Sequence, residues 1–495
     1  MAEQKHLAID LGASSGRCIL GSYDAGKLKL EIVHQFPNGG HKKDGRLYWN
    51  EQAIWNEILN GLAKVAELGH KIETIGVDTW GVDFGLLDEN NCLLANPFHY
   101  RDSHTAGALE QAFEVLPRDA IFAETGIQFM ELNSLYQLFA MQRDGDSALA
   151  NAKRFLMIPD LLHWMLSGEI TNELTNASTT QIYNPVTRNW SSKIISTFGF
   201  PDIFEQVTPP STVIGQLKDS LATQIGLGSP KIVLPCTHDT GSAVFAVPAD
   251  GFAEPQPNWC YISSGTWSCM GLELAEPRTD QIMLEYNFTN EIGIGNTARL
   301  LKNIAGLWIL QQCRANWQAE GSEYAWDDLV AQAKRATPFK SIVDADDREF
   351  VAPENMLSAV TNFCKRSDQA APESVGEFVR CALESLALKY RIVFDTLGEI
   401  NGKPLELVHI VGGGSQNQLL CQMTADVCQV PVIAGPVEAT ATGNLLAQML
   451  GLGTLGSCEE ARNLVRSSFQ LITYEPQSGS GWDEALAKLK SMMGN

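Results

Sequence analysis

One short pattern of small residues occurs twice in this chain, and it constrains the fold more than any other feature. Residues 10–17 read Asp-Leu-Gly-Ala-Ser-Ser-Gly-Arg and follow the apolar run Leu7-Ala8-Ile9. Far downstream, residues 263–268 read Ser-Ser-Gly-Thr-Trp-Ser and follow Trp259-Cys260-Tyr261-Ile262. Each pattern predicts an apolar strand that runs into a tight turn rich in backbone N–H and hydroxyl donors. Two such turns indicate two related half-domains that share one polyphosphate.

The repetition of the turn supports a phosphate site more strongly than either copy alone. A single Gly/Ser-rich turn is usually only a hairpin. Here the first copy is flanked by Asp10 and Arg17, which suit a metal–phosphate ligand. Neither turn has the Walker A spacing, and no Gly-x-Gly-x-x-Gly motif opens a helix, so P-loop and Rossmann folds are disfavoured.

The acidic composition excludes one class of partner. The formal net charge is −22 and the sequence pI is about 4.8. Nucleic-acid binding requires a basic face, so we expect no nucleic-acid partner. A nucleotide substrate is also anionic, so a local Arg or Lys and a divalent cation must offset the overall field.

The remaining composition is typical of an intracellular globular protein of two or three domains. The 495 residues include eleven cysteines without a Cys-x-x-Cys pair, and the N-terminus lacks a signal-peptide pattern, so we expect a cytoplasmic protein with reduced thiols. No apolar run reaches about 18 residues, so no membrane association is expected. The nine histidines show no metal-ligand spacing, and we expect His6 to lie at the surface. Either a monomer or a homodimer is compatible with this composition.

Strands alternate with helices along the chain, which predicts an α/β fold. Helical spacing over residues 49–68 places Ile54, Ile58, Leu62 and Val65 on one face. The strand-and-turn pattern restarts after Pro248, so we predict an N-terminal domain of residues 1–244 and a C-terminal domain of residues 245–495. The polar segment 344–367 is predicted to be a surface loop.

Three residues in the N-terminal half are candidates for phosphoryl chemistry. Asp10 ends a strand at a phosphate-type turn, where a carboxylate can hold Mg²⁺ or simply cap the turn. Arg17 can donate to phosphate oxygens or form a surface ion pair. Asp239 follows a strand and precedes small residues, so it suits either a base that accepts a hydroxyl proton or a helix N-cap. From chemistry alone these two interpretations of Asp239 are equal.

Three further clusters mix polar and small residues at the ends of predicted strands. Residues 78–84, Asp-Thr-Trp-Gly-Val-Asp-Phe, combine two acids, an aromatic ring and a glycine, which is typical of carbohydrate sites. The alternative is a buried tryptophan with a capping aspartate. Asn303 stands before an apolar helix and can contact a ligand or act as an N-cap. Residues 411–417 form a glycine turn that lets a flat ligand approach the backbone, or a plain left-handed turn.

These motifs resemble those of one family. Residues 10–17, 263–268 and 411–417 are similar to the two phosphate motifs and the adenosine motif of the FGGY carbohydrate kinases. That resemblance implies a two-domain actin/hexokinase-like (ribonuclease H-like) ATPase fold, with ATP and sugar in the interdomain cleft. Further segments resemble one member of the family more closely than the others: 78–87, 100–103, 126–129, 157–160, 175–181, 237–244, 301–310 and 435–439.

The resemblance implies a role for individual residues. It makes Asp239 the catalytic base that takes the proton of a ketose 1-hydroxyl as this oxygen attacks the γ-phosphorus of ATP. The implied sugar contacts are Gly81, His238, Asp239, Thr240 and Asn303. The implied ATP contacts are Ala13, Ser14, Ser15, Gly16, Arg17, Thr266, Gln311, Gly412, Gly413 and Gly414. Asp10 is the implied holder of Mg²⁺. Residues 344–367 and the tail beyond residue 453 match less clearly, and nothing is transferred there.

Other functions fit parts of the same pattern. Within the family, L-fuculose or a pentulose such as xylulose is an alternative acceptor, since motifs do not settle the stereochemistry of one hydroxyl. A non-enzymatic nucleotide switch on the same fold would bind ATP without a sugar, which the 78–84 cluster and Asp239 argue against. A metal-dependent hydrolase built on Asp10, Asp78 and Asp239 lacks any histidine ligand pattern.

Overall fold

The computed structural model describes residues 3–351 and 353–493, and the chain forms two compact units. Unit 1 comprises Met1–Pro255, Glu273–Leu300 and Ala439–Phe469. Unit 2 comprises Gln256–Leu272, Leu301–Glu438 and Gln470–Asn495. Each unit is therefore assembled from three separated stretches of sequence.

Strands and helices alternate through both units, which confirms the predicted α/β class. The strands are β1 (Gln4–Leu11), β2 (Ser15–Asp24), β3 (Lys27–Pro37), β4 (Gly40–Lys43), β5 (Arg46–Trp49), β6 (Thr74–Thr79), β7 (Phe84–Leu87), β8 (Arg154–Met157), β9 (Asn172–Glu173), β10 (Tyr183–Asn184), β11 (Asn189–Trp190), β12 (Val207–Thr208), β13 (Val213–Gln216), β14 (Lys231–Val233), β15 (Trp259–Ser264), β16 (Ser268–Leu274), β17 (Thr289–Ile292), β18 (Ala298–Ile304), β19 (Leu407–Val411), β20 (Val432–Ala434) and β21 (Ile472–Tyr474).

The helices cover much of the remaining chain. They are α1 (Glu51–Glu67), α2 (Ala108–Val115), α3 (Arg118–Thr125), α4 (Ser134–Arg143), α5 (Ser147–Asn151), α6 (Ile158–Ser167), α7 (Leu174–Ala177), α8 (Ser192–Phe198), α9 (Asp219–Ile225), α10 (Asp239–Phe245), α11 (Gln281–Tyr286), α12 (Trp308–Ala319), α13 (Trp326–Arg335), α14 (Met356–Arg366), α15 (Val375–Asn401), α16 (Gln418–Cys428), α17 (Ala439–Gly451), α18 (Cys458–Ser468) and α19 (Trp482–Met493). Within the described ranges, none of them has the length and apolar character needed to cross a bilayer.

The sheet of unit 1 brings distant residues together at one end. Its strand order is β13-β14-β6-β1-β2-β3. β1 runs antiparallel to β2 with Asp10 opposite Arg17, and parallel to β6 with Asp10 opposite Asp78. Three ionisable side chains therefore lie on adjacent strands at the same level of the sheet.

Helix α1 covers this sheet as its apolar spacing predicts. The Asn50 side chain caps the helix by accepting from the N–H of Ala53. The residues predicted for the inner face, Ile54, Ile58, Leu62 and Val65, are all buried, and they join a core with the β1 residues Leu7 and Ile9. This packing fixes the end of β1 from which Asp10 projects.

Unit 2 contains the second copy of the strand–turn–strand pattern. β15 pairs antiparallel with β16 across the turn at residues 264–268 and parallel with β19 on its other side. The order continues through β20 to β21. The long helix α15 starts at a capping box, in which Ser374 and Glu377 satisfy each other's backbone N–H groups.

The prediction of a loop over residues 344–367 is wrong in its second half. Helix α14 runs through Met356–Arg366 and buries Met356, Val360 and Phe363 on one side. The apolar residues recur at i, i+4 and i+7, which is a helical period. The polar residues between them and the nearby proline obscured that period in the sequence.

Candidate active site

Three carboxylates lie at the end of the unit 1 sheet. Arg17 Nη2 donates to Asp10 Oδ2 at 2.6 Å, and the Asn444 amide donates to Asp78 Oδ2. Asp239 lies close enough to raise the pKa of Asp78, although less than burial and Asp10 do. The structure thus gathers Asp10, Arg17 and Asp239, as the resemblance implies, and adds Asp78 and Asn444.

Asp78 is the member of this group whose neutral form is most favoured. Its side chain is completely buried, and burial together with the charge of Asp10 raises its pKa well above the ordinary value. Burial also raises the pKa of Asp10, while the charge of Arg17 opposes that rise. Two neighbouring buried carboxylates disfavour each other's ionised form, and the effect is larger on Asp78.

Asp239 is the first residue of α10, and the N-cap alternative considered for it is wrong. His238 occupies the N-cap position with extended backbone angles. The N–H of Thr240 donates to Asp239 Oδ1 at 2.6 Å, and the Thr240 hydroxyl lies 3.3 Å from the same oxygen. Because 30% of the Asp239 side chain is exposed, its carboxylate remains reachable by a ligand.

Opposing effects act on the pKa of Asp239. Burial raises it, His238 lowers it, and Asp10 raises it again. The net pKa lies above the ordinary value, which suits a group that must accept a proton. The start of α10 adds its own N–H dipoles, which stabilise the ionised form.

His238 connects Asp239 to a buried ion pair that the sequence analysis missed. His238 Nε2 lies 3.4 Å from Asp239 Oδ1. On the other side of the ring, Nδ1 lies 3.1 Å from Glu291 Oε2 and 3.2 Å from Arg299 Nη2. The sequence gives little signal for this pair, because Glu291 stands in the mostly polar strand β17 and Arg299 shares β18 with Lys302.

Gly81 lies tightly against His238. A Cβ atom at this position would lie 3.1 Å from Thr179 Oγ1 and 3.3 Å from His238 Nε2. A larger side chain would therefore force Thr179 or the histidine to shift. The predicted sugar contacts Gly81, His238, Asp239 and Thr240 are neighbours in unit 1, whereas Asn303 belongs to unit 2.

Asp83 anchors the loop that carries Gly81. Its Oδ2 accepts from the indole N–H groups of Trp49 at 2.6 Å and Trp80 at 3.0 Å, and from the backbone N–H of Tyr100 at 3.1 Å. Its Oδ1 accepts from the Gln137 amide at 2.8 Å. Burial outweighs these four bonds and raises the pKa of Asp83 to about 7. Asp83 therefore supports the loop and does not face a sugar.

The first glycine-rich turn is held in a fixed conformation. The N–H of Gly12 donates to Ser15 O at 2.9 Å, and the Asn38 side chain donates to Gly12 O at 2.8 Å. A Cβ at Gly16 would lie 2.3 Å from the Phe36 ring, so only glycine fits there. Ser14 remains exposed at the tip. The predicted phosphate residues 13–17 thus form one ordered turn beside Asp10.

Unit 2 packs its predicted nucleotide residues around the second turn. A Cβ at Gly414 would lie 2.0 Å from Ser264 Oγ, and one at Gly412, which has φ of 83°, would lie 3.0 Å from Ser264 O. A Cβ at Gly306 would approach Thr266 O to 2.5 Å. The close approach of these backbones explains the glycines at 412 and 414.

The two other predicted ligand residues of unit 2, Asn303 and Gln311, lie on elements that contact the second turn or the strand that follows it. Gln311 lies in the first turn of α12, and its N–H donates to Leu307 O at 2.9 Å. The side-chain oxygen of Asn303 accepts from Cys269 Sγ at 3.1 Å. Leu307 N in turn donates to Gly265 O at 3.1 Å, which ties the start of α12 to the second turn.

The donor set suits Mg²⁺ held jointly with a phosphate ligand. Within residues 3–351 and 353–493, no group of three or more His, Cys, Asp or Glu side chains could hold a metal by itself. Mg²⁺ usually keeps several waters and takes one or two carboxylates plus substrate phosphates. Asp10, a carboxylate next to the first turn, fits that role.

Comparison with known proteins identifies the class of this chain. The model of the "FGGY family of carbohydrate kinases, N-terminal domain" matches residues 6–246, and the corresponding C-terminal domain model matches residues 260–452. The chain therefore belongs to the FGGY family of carbohydrate kinases. It is a sugar kinase, and an enzyme of this kind uses ATP as the phosphoryl donor.

The member that the individual segments resemble is rhamnulokinase, and full-length similarity confirms this. The chain is 42% identical over 490 residues to rhamnulokinase of Bacteroides thetaiotaomicron, which covers 99% of both chains. It is 39% identical over 475 residues to rhamnulokinase of Bacillus subtilis, which covers 95% of both.

Solved structures confirm the predicted fold. Gluconate kinase from Lactobacillus acidophilus superposes with a TM-score of 0.77 at 16% identity, covering 100% of this chain and 96% of that one. Plasmodium falciparum glycerol kinase with ADP gives a TM-score of 0.75 at 15% identity, covering 99% and 97%. At these identities the likeness establishes the two-domain sugar-kinase architecture alone.

Proposed function

We propose that this protein transfers the γ-phosphoryl group of ATP to the 1-hydroxyl of L-rhamnulose, giving L-rhamnulose 1-phosphate and ADP in the use of L-rhamnose. The observation that carries the proposal is Asp239, an accessible carboxylate at a helix start beside His238, which itself lies against Gly81. The choice of L-rhamnulose rests on the similarity to rhamnulokinases over nearly the whole chain.

Asp239 acts as the base in this proposal. Its Oδ1 is engaged by Thr240, so Oδ2 is the oxygen that takes the proton of the ketose hydroxyl. The hydroxyl oxygen forms a bond to the γ-phosphorus while the bond from phosphorus to the ADP oxygen breaks in line. The raised pKa of Asp239 favours receipt of the proton, which later passes to solvent. Gly81, His238, Thr240 and Asn303 contact the sugar.

The nucleotide residues are divided between the two halves of the chain. We assign the sugar contacts other than Asn303, and the first phosphate turn, Ala13 to Arg17, to residues 1–244. Residues 245–495 supply Thr266 of the second turn, Gln311, and the glycines 412–414 for adenosine. Arg17 offers a cation beside the phosphates, which an enzyme of net charge −22 needs locally.

Mg²⁺ is the proposed metal cofactor, and Asp10 is the residue that would hold it. When bound, the ion neutralises charge on the phosphate oxygens. Arg17 already donates to Asp10 Oδ2, so the remaining lone pairs of the carboxylate would hold the ion, directly or through water. The protein positions the reactants and excludes competing water, which together supply most of the rate in phosphoryl transfer.

A coupled assay of ADP release with ATP–Mg²⁺ tests the substrate. The panel is L-rhamnulose, L-fuculose, L-ribulose and D-xylulose, and we expect the highest kcat/KM for L-rhamnulose. If another ketose gives the highest kcat/KM, the protein is still a sugar kinase, but L-rhamnulose is not its acceptor. ATP binding without sugar-dependent ADP release would overturn the proposal and favour a nucleotide switch.

The base assignment is tested by Asp239→Asn. We expect kcat to fall by at least about 10²-fold, because general base catalysis contributes about 10² to 10⁴. Binding of L-rhamnulose, followed by thermal shift, should persist. Asp202→Asn, which changes an exposed aspartate, is the matched control and should retain full activity. Full turnover by the Asp239 variant would refute the assignment.

We further propose that the protein works in the cytoplasm as a monomer or homodimer. All eleven cysteines are free, and most are buried, which suits a reducing compartment. Cell fractionation and light scattering of the purified protein test these two points. Recovery from an oxidising compartment, or a larger assembly, would contradict them.

A further inference from the structure

A fully buried arginine lies beneath the first turn of α10, behind the proposed base. Arg299 has no exposed surface, and its Nε donates to Ile292 O at 3.2 Å. A Cβ at Gly241 would lie 3.5 Å from Arg299 Cζ, so the guanidinium packs directly against the helix that starts with Asp239. Burying a cation at this place is costly unless it is paired.

Glu291 supplies the compensating charge. Its Oε2 lies 3.2 Å from Arg299 Nη2 and 3.1 Å from His238 Nδ1. Burial alone would raise the pKa of Glu291, but His238 and Arg299 together hold it below the ordinary value. Glu291 is therefore ionised, and Arg299 is neutralised by it.

Arg299 and Glu291 both lie within hydrogen-bonding distance of His238 Nδ1, but the first can only donate and the second can only accept. Arg299 carries donors only, so its Nη2, at 3.2 Å and with hydrogen-bond geometry, requires a lone pair on Nδ1. Glu291 carries acceptors only and would require a proton on Nδ1. Oε2 of Glu291 makes no well-aligned hydrogen bond with the ring. The geometry therefore favours a hydrogen bond from Arg299 to His238 Nδ1 over one from His238 to Glu291.

We propose that Arg299 is a positioning residue that holds His238 in the tautomer with its proton on Nε2, and thereby orients the Asp239 carboxylate. The Nε2 atom lies 3.4 Å from Asp239 Oδ1, so this tautomer places a proton beside that oxygen. Together with Thr240, this contact keeps Oδ1 occupied and presents Oδ2 to the ketose hydroxyl. The distance is long for a hydrogen bond, and contacts of this kind commonly tighten in the substrate complex.

The inference deepens the proposed function, because it rests on Asp239 as the base. Loss of Arg299 should let Glu291 capture the Nδ1 proton. The lone pair on Nε2 would then face the Asp239 carboxylate and repel it. Misplacement of a reacting group by about 1 Å costs about 10²-fold in rate, so we expect kcat of Arg299→Met to fall about 10- to 100-fold. KM for ATP should stay unchanged.

The test uses three variants and a spectroscopic readout. The variants are Arg299→Met, Glu291→Gln and the double variant that combines them. ¹⁵N-histidine NMR at pH 7.5, with the His238 resonances assigned by His238→Asn, reports the tautomer independently of turnover. We expect Nε2–H in the wild type and Glu291→Gln, and Nδ1–H in Arg299→Met. In the double variant the glutamine amide can donate to Nδ1, so Nε2–H and part of kcat should return.

The outcomes separate this inference from the proposed function. A wild-type His238 protonated on Nδ1 overturns the inference even if no variant folds. A folded Arg299→Met with wild-type kcat and an unchanged tautomer also overturns it. If the enzyme prefers a ketose other than L-rhamnulose, the tautomer pattern should be unchanged. The losses in kcat should then be measured with that preferred ketose. A merely structural role would lower the melting temperature without switching the tautomer.

Discussion

Replacing the buried carboxyl of Asp83 by an amide should change how stability depends on pH. Asp83 accepts four hydrogen bonds, two of them from Trp49 and Trp80, and burial raises its pKa from 3.8 to about 7. In the unfolded chain the pKa returns to its ordinary value. Between these two values the native state holds a proton that the unfolded state has released.

The expected magnitude follows from that difference. Each tenfold change in proton affinity is worth about 1.4 kcal/mol, so the interval between 3.8 and about 7 corresponds to about 4 kcal/mol. The stabilising effect of the native proton is complete below pH 4 and is lost as the pH rises through 7. Asp83→Asn stays neutral at every pH. The variant should therefore gain about 4 kcal/mol relative to the wild type between pH 4 and pH 8.

Thermal unfolding of both proteins across this pH range measures the difference, since other titrating groups affect both equally. The fluorescence of Trp49 and Trp80 reports the native pKa of Asp83 directly. The quantity to follow is the difference in emission between wild type and variant as the pH changes. The exposed Asp202→Asn variant should follow the wild type at every pH. A constant gap between wild type and Asp83→Asn from pH 4 to pH 8 would refute the reasoning, because it would mean that Asp83 ionises alike in both states.

Three further substitutions separate the roles of other positions. Gly81→Ala should raise KM for the ketose about tenfold, since its Cβ would lie 3.1 Å from Thr179 and 3.3 Å from His238 Nε2 and so force these side chains to shift; an unchanged KM would contradict this. Asn444→Leu should lower the free energy of unfolding by about 3 kcal/mol, because the buried groups that accept hydrogen bonds from the Asn444 amide lose them. Chemical denaturation measures this loss, and wild-type stability would contradict it. Gly414→Ala should raise KM for ATP and leave KM for the ketose unchanged, because its Cβ would lie 2.0 Å from Ser264 Oγ; equal effects on both would contradict a nucleotide role.

The parts of the site that the sequence predicted are those encoded locally. The strand, turn and strand of residues 7–23 follow from apolar alternation and from small residues between them. Antiparallel pairing across a short turn then forces Asp10 and Arg17 opposite each other. The same logic predicted β15 and β16 around the second turn.

A series of buried, hydrogen-bonded polar side chains in unit 1 was not predicted, because its members are far apart in sequence. His6, expected at the surface, is fully buried, and its Nδ1 lies 2.7 Å from Thr74 Oγ1. The Thr74 hydroxyl donates to Gln448 Oε1, and the Gln448 amide bonds to Asn444. Helix α17 thus supplies two amides to strands nearly four hundred residues earlier. No local pattern specifies such a pairing, since a polar residue in an apolar strand resembles an exposed one.

Glu291 and Arg299 escaped prediction for a related reason. Glu291 stands in the mostly polar strand β17, Arg299 shares β18 with Lys302, and the pairing becomes visible only in the folded structure. Charged residues are almost never fully buried without a partner, but the sequence names neither the burial nor the partner here. The role of His238 therefore could not be derived from the sequence His-Asp-Thr alone.

The chemistry of Asp239 depends on where the neighbouring protons reside. A base must be ionised at rest and yet have a pKa high enough to accept a proton, and burial and His238 act on Asp239 in these opposite directions. If Asp78 were also ionised, three negative charges would meet at the end of the sheet, and the pKa of each would rise further. The raised pKa of Asp78 favours its neutral form, which removes one of those charges. Asp10 and Asp239 can then both remain ionised, as their proposed roles of holding a cation and taking the proton of the sugar require.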